Sequence, residues 1–510
     1  MRNRFISLLV ILLSYTQLLA QDAEIVFTTK LENLGNKVNS EFSEAEPKIS
    51  PDGKTLYICR RNDPTNIGGG FTGPDVWFSE LLPDGTWSEA KNLGEPVNDE
   101  FFNQVIGIRS DGNAMLLKGK YDAVLKTDIY ISFRSGNKWN KPIPQEFENF
   151  DYNPEGSSYS VSVDFKVLIS AYAPATGRED DLFVSFLQRN GKWSKPVFMG
   201  ETLNTTQEEV FPTLAGDGVT LYFSSRGHDG YGDHDIYVSR RLDDTWTNWS
   251  KPKNLGSVIN TSGYDSDFIV DTKGKYAYLS SNADISAGFD IFRIELPASA
   301  RPNPVTMVTG TVVDGKTMKP IEATITYVRS ADGIELGKVT SNSVNGVYNI
   351  VLPYGQKYSF LIEAKSYLSE SETLDLTKVS EYQEVKKDLQ LLPDISVNRA
   401  NQEFGYIFFE FGAFEIRPEF SPKLVAIIDK LNENPNSKVS IIGHTDNVGT
   451  DEKNLELSKQ RAQAVADNLI AKGVDKKRIV VAGVGESQPA ADNTTERGRL
   501  KNRRVEFKFL

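Results

Sequence analysis

The stretch from Gly443 to Ala462, GHTDNVGTDEKNLELSKQRA, holds an acid and a base whose spacing suits recognition chemistry: Asp446 and Arg461. Lys438 to Ile442 alternates as a strand with one buried face. Gly443 and Gly449 bracket a loop in which Asn447 suits a turn. Leu455, Leu457, Ala462, Val465 and Leu469 then recur at roughly helical spacing, and Gly473 stands where a helix would stop. Asp446 is therefore expected just past a strand end and Arg461 about two turns into the next helix, with the loop folding them together. A fixed carboxylate beside a fixed guanidinium suits a zwitterion, because aspartate takes an ammonium and arginine takes a carboxylate through two parallel bonds. The plainer alternative is an internal ion pair that only braces the loop.

Other motifs join this one. FFEFGAFEIRPEF runs over 408–420, LSKQRA over 457–462, GVGESQP over 483–489 and NRRVEF over 502–507. With GHTDNVG at 443–449, they resemble the OmpA-type (Pal-like) peptidoglycan-binding domain, from about Tyr406 to Leu510. The resemblance implies that Asp446 and Arg461 hold the zwitterionic end of diaminopimelate in a cell-wall stem peptide. It also implies that Asn502, Arg503 and Arg504 stand at the lip of the same site, with Asn447 beside Asp446, and that Ile416 and Arg417 line its edge.

The residues themselves predict an α+β domain over 400–510. Tyr406 to Phe411 reads as a strand, with Phe408, Phe409 and Phe411 in the core. Ser421 is placed to cap a helix with Pro422 at its first position, and Leu424, Ile427, Ile428 and Leu431 give that helix an apolar face ended by Pro435. Strands at 438–442, 478–482 and 504–509 complete the order β-α-β-α-β-β, with helices on one face of a mixed sheet. No run of lipid-facing strands precedes the domain.

The remaining chain is mainly β. A repeat fills 24–297. Its first mark is a strand after a turn, as in SPDGKTLYI at 50–58 and AGDGVTLYFSS at 215–225. The turn positions are Gly53, Gly112, Phe165, Gly218 and Gly274, so one copy has Phe where the others have Gly. Its second mark is aspartate before alternating apolar residues, at Asp75, Asp128, Asp181, Asp235 and Asp290. Its third is a tryptophan strand and loop, WSEAKNLGEPVN at 87–98 and WSKPKNLGSVIN at 249–260. The fifth copy lacks its third mark, and EIVFTTKLENLGNKVNSEF at 24–42 supplies it from the chain start. Four short strands per copy, closed into a ring, describe a β-propeller, with five blades favoured over six. The repeats resemble WD40-like (PD40) propellers, and the tryptophans read as packing residues.

Pro297, Pro302 and Pro304 mark a linker over 298–304. Alternating strands with Asp-Gly and Asn-Gly turns over 305–392 read as a small β-sandwich that resembles the carboxypeptidase regulatory-like domain. Its expected role is a spacer or docking surface.

At 510 residues and 39% hydrophobic, the chain has room for several cores. A net charge of −12 argues against nucleic acid or anionic lipid as partner. The single cysteine, Cys59, makes no internal disulfide and reads as a buried thiol. Residues 1–20 read as a secretory signal, and no cysteine follows their apolar run, so an exported chain without a lipid anchor is expected. The expected place is the periplasm, beside the outer membrane and peptidoglycan.

Three histidines, no GxSxG and no HExxH leave no familiar catalytic set, so no enzyme is expected. No cofactor is called for. The loop Ser225–Asp235 could hold a metal, but Asp235 belongs to the repeat. The expected function is an envelope scaffold that grips peptidoglycan and presents the propeller to envelope proteins. A propeller that binds glycan or a small ligand is the alternative, and a periplasmic hydrolase the least favoured. The module order also resembles a peptidoglycan-associated component of the type IX secretion system of Bacteroidota, whose usual helical TPR segment and lipid anchor this sequence does not show.

Overall fold

The computed structural model describes residues 24–121, 127–148, 157–174, 178–281, 288–394 and 404–510. The secretory leader expected at 1–20 lies outside them. Two compact units result: the chain through Val305 apart from 135–138, and Thr306–Leu510 together with 135–138.

The first unit is five antiparallel sheets in chain order. In the fourth, Glu209–Leu214, Thr220–Ser225, Asp235–Arg240 and Lys253–Asn254 pair in succession. The fifth takes its outermost strand, Glu32–Asn33, from the chain start, with Glu32 opposite Arg293 and Asn33 opposite Phe292. Each expected strand after a turn is present, and the turn glycines all take positive φ. Phe165 takes the same left-handed conformation at φ 59° while its ring is buried in the core. Burial of the ring therefore outweighs the backbone strain, which costs about 1–2 kcal/mol.

Each sheet buries its two faces against its neighbours. Tyr57, Val76, Met115 and Tyr130 form a core between the first and second sheets. Further cores follow between second and third, third and fourth, and fourth and fifth. Leu56, Trp77, Tyr278 and Ile291 then join the fifth sheet to the first. The innermost strands of all five sheets line one narrow cavity of about 80 Å³, with Lys48, Ile108, Val161, Leu214 and Val270 among its walls.

The asparagine that ends the third mark has a fixed structural use. Asn98 Oδ1 accepts from Val76 N and its Nδ2 donates to Val76 O, both at 2.9 Å. Asn204 does the same to Leu182, Asn260 to Ile236 and Asn39 to Ile291. Five of the six tryptophans are buried. Cys59 is buried, with Sγ 3.5 Å from Asn103 O. The 298–304 segment does not hang free as a linker would. Ala300 is buried and its carbonyl accepts from Tyr222, Arg301 O accepts from Arg240, and Asn303 N donates to Asp217.

The second unit begins with two facing sheets. One contains Val305–Asp314, Val347–Pro353, Gln383–Lys386 and Leu389–Leu391; the other runs Glu335–Thr340, Thr324–Arg329, Lys357–Glu363, Glu370–Asp375. Val312, Ile325, Ile350, Phe360 and Leu391 share the core between them.

The C-terminal sheet has the order Tyr406–Phe408, Arg504–Phe509, Val439–Gly443, Ile479–Gly483. It is mixed: the last two strands are parallel, and Arg504–Phe509 is antiparallel to both of its neighbours. Three α-helices accompany it: α1, Ser421–Glu433; α2, Asp451–Ala471; and α3, Glu496–Asn502. The sequence did not announce α3, since seven residues with Gly498 inside carry too little periodicity. Ser421 is not a cap. The 3₁₀ turn Pro418–Phe420 runs straight into α1, and Phe420 occupies the cap position without a side-chain bond. Thr450 and Thr495 cap α2 and α3 by accepting from Lys453 N and Gly498 N. Among the described residues no helix is long and apolar enough to cross a membrane.

Candidate functional site

Two glycines let α2 lie against the sheet. Gly443 and Gly483 are paired neighbours on parallel strands. A Cβ on Gly443 would stand 1.9 Å from Ser458 O, and one on Gly483 would stand 2.5 Å from Ser458 Oγ. Ser458 is fully buried; its hydroxyl donates to Leu455 O and accepts from Gly485 N. The next turn of α2 carries Arg461, at the middle of the helix rather than two turns in. Leu455 and Leu457 are not core positions; the buried face is Asn454, Ser458, Arg461, Ala462, Val465, Ala466 and Leu469.

The Arg461 side chain is fully buried and bound to backbone. Nε donates to Ala413 O at 2.8 Å, Nη1 to His444 O at 2.9 Å and Nη2 to Glu410 O at 3.1 Å. It thus joins the loop after the first strand to the end of the third. Burial draws its pKa down to about 10; Asp446 opposes that shift and Arg503 adds to it. The face of Phe409 lies 5.4 Å from the guanidinium carbon.

Asp446 is equally buried, at 3% exposure. Its Oδ1 accepts from Val448 N at 3.2 Å, which closes the loop on itself. Its Oδ2 accepts from Arg503 Nη1 at 2.9 Å. Asp446 is thus hydrogen-bonded to Arg503, while Arg461 acts on it through the field alone. Arg503 also donates to Phe409 O and meets the exposed Glu496 at 3.3 Å. With Glu496 counted, the two arginines face two carboxylates, one buried with them at Asp446 and one exposed at Glu496.

The remaining candidates diverge. Asn502 is buried and spends its amide on Ala490 N, Ala491 N, Ala491 O and Asn493, which braces the 490–493 loop. Arg504 bonds Glu506 and Gln488 O, with its guanidinium 5.3 Å from the Tyr406 ring. Alternation along its strand sends it with Glu506, away from the core positions Val505 and Phe507. Asn447 is exposed on the loop. Arg417 is tied to Glu410 and Glu419.

Sequence reasoning missed several contributors. Glu410 and Ala413 act through carbonyls, which no side-chain motif reveals. Asn454 donates to Asp446 O and to Glu486, fixing the loop from α2. Phe411 is 63% exposed rather than core, and Phe414 and Val448 are exposed as well. In the first unit, Asp235 accepts from Tyr231 N and Asn254 Nδ2, and His228 Nε2 lies 2.9 Å from Leu203 O, so both serve the sheet.

Known proteins resemble this region. The chain is 39% identical over 101 residues to the probable lipoprotein YiaD of Escherichia coli, covering 20% of this chain and 46% of that one. It is 49% identical over 81 residues to the peptidoglycan-binding protein ArfA of Mycobacterium bovis, covering 16% and 25%. These alignments span less than half the length of those relatives. Among solved structures, the peptidoglycan-associated lipoprotein of Burkholderia pseudomallei is 28% identical, with 21% of this chain and 89% of that chain covered and a TM-score of 0.20. The cell wall anchor of the T6SS from Pseudomonas aeruginosa is 36% identical, with 20% and 73% covered and a TM-score of 0.18. Residues 408–503 match the OmpA family and form an OmpA domain at the C-terminal end of this chain.

Proposed function

We propose that this protein is a non-covalent envelope scaffold moored to peptidoglycan through its OmpA domain. Asp446 receives the ammonium of diaminopimelate in the stem peptide, and Arg461 and Arg503 receive its carboxylate. The observation that carries this reading is the buried cluster of one aspartate and two arginines beside the 445–450 loop. The names of the relatives, peptidoglycan-binding and peptidoglycan-associated, support the same ligand. Asn447, Asn502 and Arg504 serve as loop, brace and strand anchor around it.

In this reading the first unit is a five-bladed propeller that presents a protein-binding surface. The five sheets, the fifth-to-first core and the shared axial cavity support that architecture. The chain then works in the periplasm against the outer membrane, as a scaffold and not an enzyme. A place in a type IX-like secretion assembly is the more specific form of the proposal.

Sedimentation with purified sacculi tests the site. Asp446→Ala should weaken wall binding by roughly 2–5 kcal/mol, since it leaves the buried Arg503 without its buried partner. Arg461→Lys should weaken it too, because one ammonium cannot span three carbonyls and a ligand. Wild-type retention by both variants would remove the site from this loop.

A further inference from the structure

The strand Lys357–Glu363 is buried on both faces, which a two-sheet sandwich standing alone would not require. Phe360 and Ile362 enter the sandwich core, whereas Leu361, with Leu368, belongs to the core of the OmpA domain beside Phe408, Phe420 and Leu424. Two buried lysines cross the same junction inside this compact unit. Lys423 of α1 reaches Glu363 Oε1 at 2.7 Å and Tyr406 O at 2.9 Å. Lys501 of α3 reaches Ser369 O and stands 3.0 Å from Glu370 Oε2, with the Phe408 ring 4.7 Å away. Arg497, one turn earlier on α3, meets the same Glu370 oxygen at 3.3 Å and donates to Gln390 O.

Helix α3 is therefore held from two sides. One face is clamped to sandwich residues through Arg497 and Lys501. Elsewhere Asn502 and Arg499 hold it to the 490–493 loop, and Glu496 touches Arg503, which follows the helix directly and bonds Asp446. With seven residues, α3 has little stability of its own and takes its position from these partners. Resting on the reading of the site above, we propose that the sandwich is a working part of the peptidoglycan grip: Glu370 is a positioning residue that holds α3, and through it Arg503, in the geometry that Asp446 and the ligand require. Burial keeps the Lys501 ammonium at a pKa of about 8 against the pull of Glu370, so its charge depends on that carboxylate.

The full chain serves as the probe, with purified sacculi as ligand. Glu370→Gln should lower sacculus affinity about tenfold, the scale of an ordinary coupling between neighbouring sites, and should speed amide exchange across 496–503. Arg497→Gln, at a half-exposed position, should lower affinity in the same direction and guards against a misfolded first variant. Glu363→Gln breaks the Lys423 pair in the same junction without touching α3, and should stay within about twofold of wild type. Wild-type affinity in both Glu370→Gln and Arg497→Gln would overturn the proposal, as would an equal loss in Glu363→Gln, which would mean general weakening. Asp446→Ala separates the two layers: if it binds as wild type the site reading itself fails, and if it alone loses binding only the role of the sandwich fails.

Discussion

Arg461 and Asp446 show how little of a residue's role its motif states. Arg461 looks like a free fork for a carboxylate, yet three of its N–H groups already hold Ala413, His444 and Glu410 carbonyls. Its burial is tolerable only because those acceptors replace water. His444 supplies one of these carbonyls, and its own ring is fully buried. Burial, with help from the Arg504 charge, pushes its pKa down to about 2 from 6.5, so the ring is neutral and its 3.3 Å approach to Glu506 is no ion pair. The unfolded chain takes up this proton near pH 6.5 and the folded chain does not, so stability falls as the pH drops below 6.5. By pH 5 the His444 contribution should amount to about 2 kcal/mol of lost stability. Chemical denaturation followed from pH 7 to 5 should show that slope in the wild type and a shallower one in His444→Gln.

At the scale of elements, the decisive contact is between α2 and the sheet. Gly443 and Gly483 leave no room for a side chain under Ser458. Gly443→Ala should push α2 outward, carry Arg461 off its carbonyls and cost about 3 kcal/mol, the upper end of ordinary overpacking. Thermal unfolding and sacculus sedimentation should both register it. Gly473→Ala meets no atom within 4 Å, but its φ of +100° still strains an alanine, so a smaller stability loss without a binding loss is expected there. The repeats carry a comparable device in their asparagines. Each of the four bonds the backbone just past the repeat aspartate, tying the loop after the outer strand back to the third strand of the sheet. In the second sheet the backbone just past the repeat aspartate, Ile129 N, donates to Thr127 Oγ1, and Asp128 accepts from Tyr159.

At the scale of the whole molecule, closure of the first unit depends on residues far apart in sequence. Ile25 and Phe27 enter the core between the fourth and fifth sheets, Glu32–Asn33 completes the fifth sheet, and Val38 enters the core between fifth and first. Deleting 24–42 should expose an unpaired edge at Asp290–Glu295 and unfold the first unit as a whole rather than fray one sheet. Tryptophan fluorescence should report this, since five of six tryptophans are buried and all lie in that unit. A variant with unchanged fluorescence and melting would show that the first unit does not need its chain-start strand.

The sequence by itself determined the pieces that local chemistry dictates. Asp-Gly turns, alternating strands, the chain-start segment that completes the fifth sheet, and the acid and base of GHTD and LSKQRA were all legible, because each depends on neighbours within a few residues or on a repeated pattern. The tertiary structure decided the pairings. It chose Arg503 over Arg461 as the direct partner of Asp446, turned Asn502 and Arg504 to bracing, exposed Phe411 and set α3 against Glu370. Those outcomes depend on which distant groups share a dry space, and desolvation there acts on atoms brought together by the whole fold. Phe165 draws the line most simply: its left-handed turn follows the repeat, but only the packed core makes a phenylalanine acceptable there.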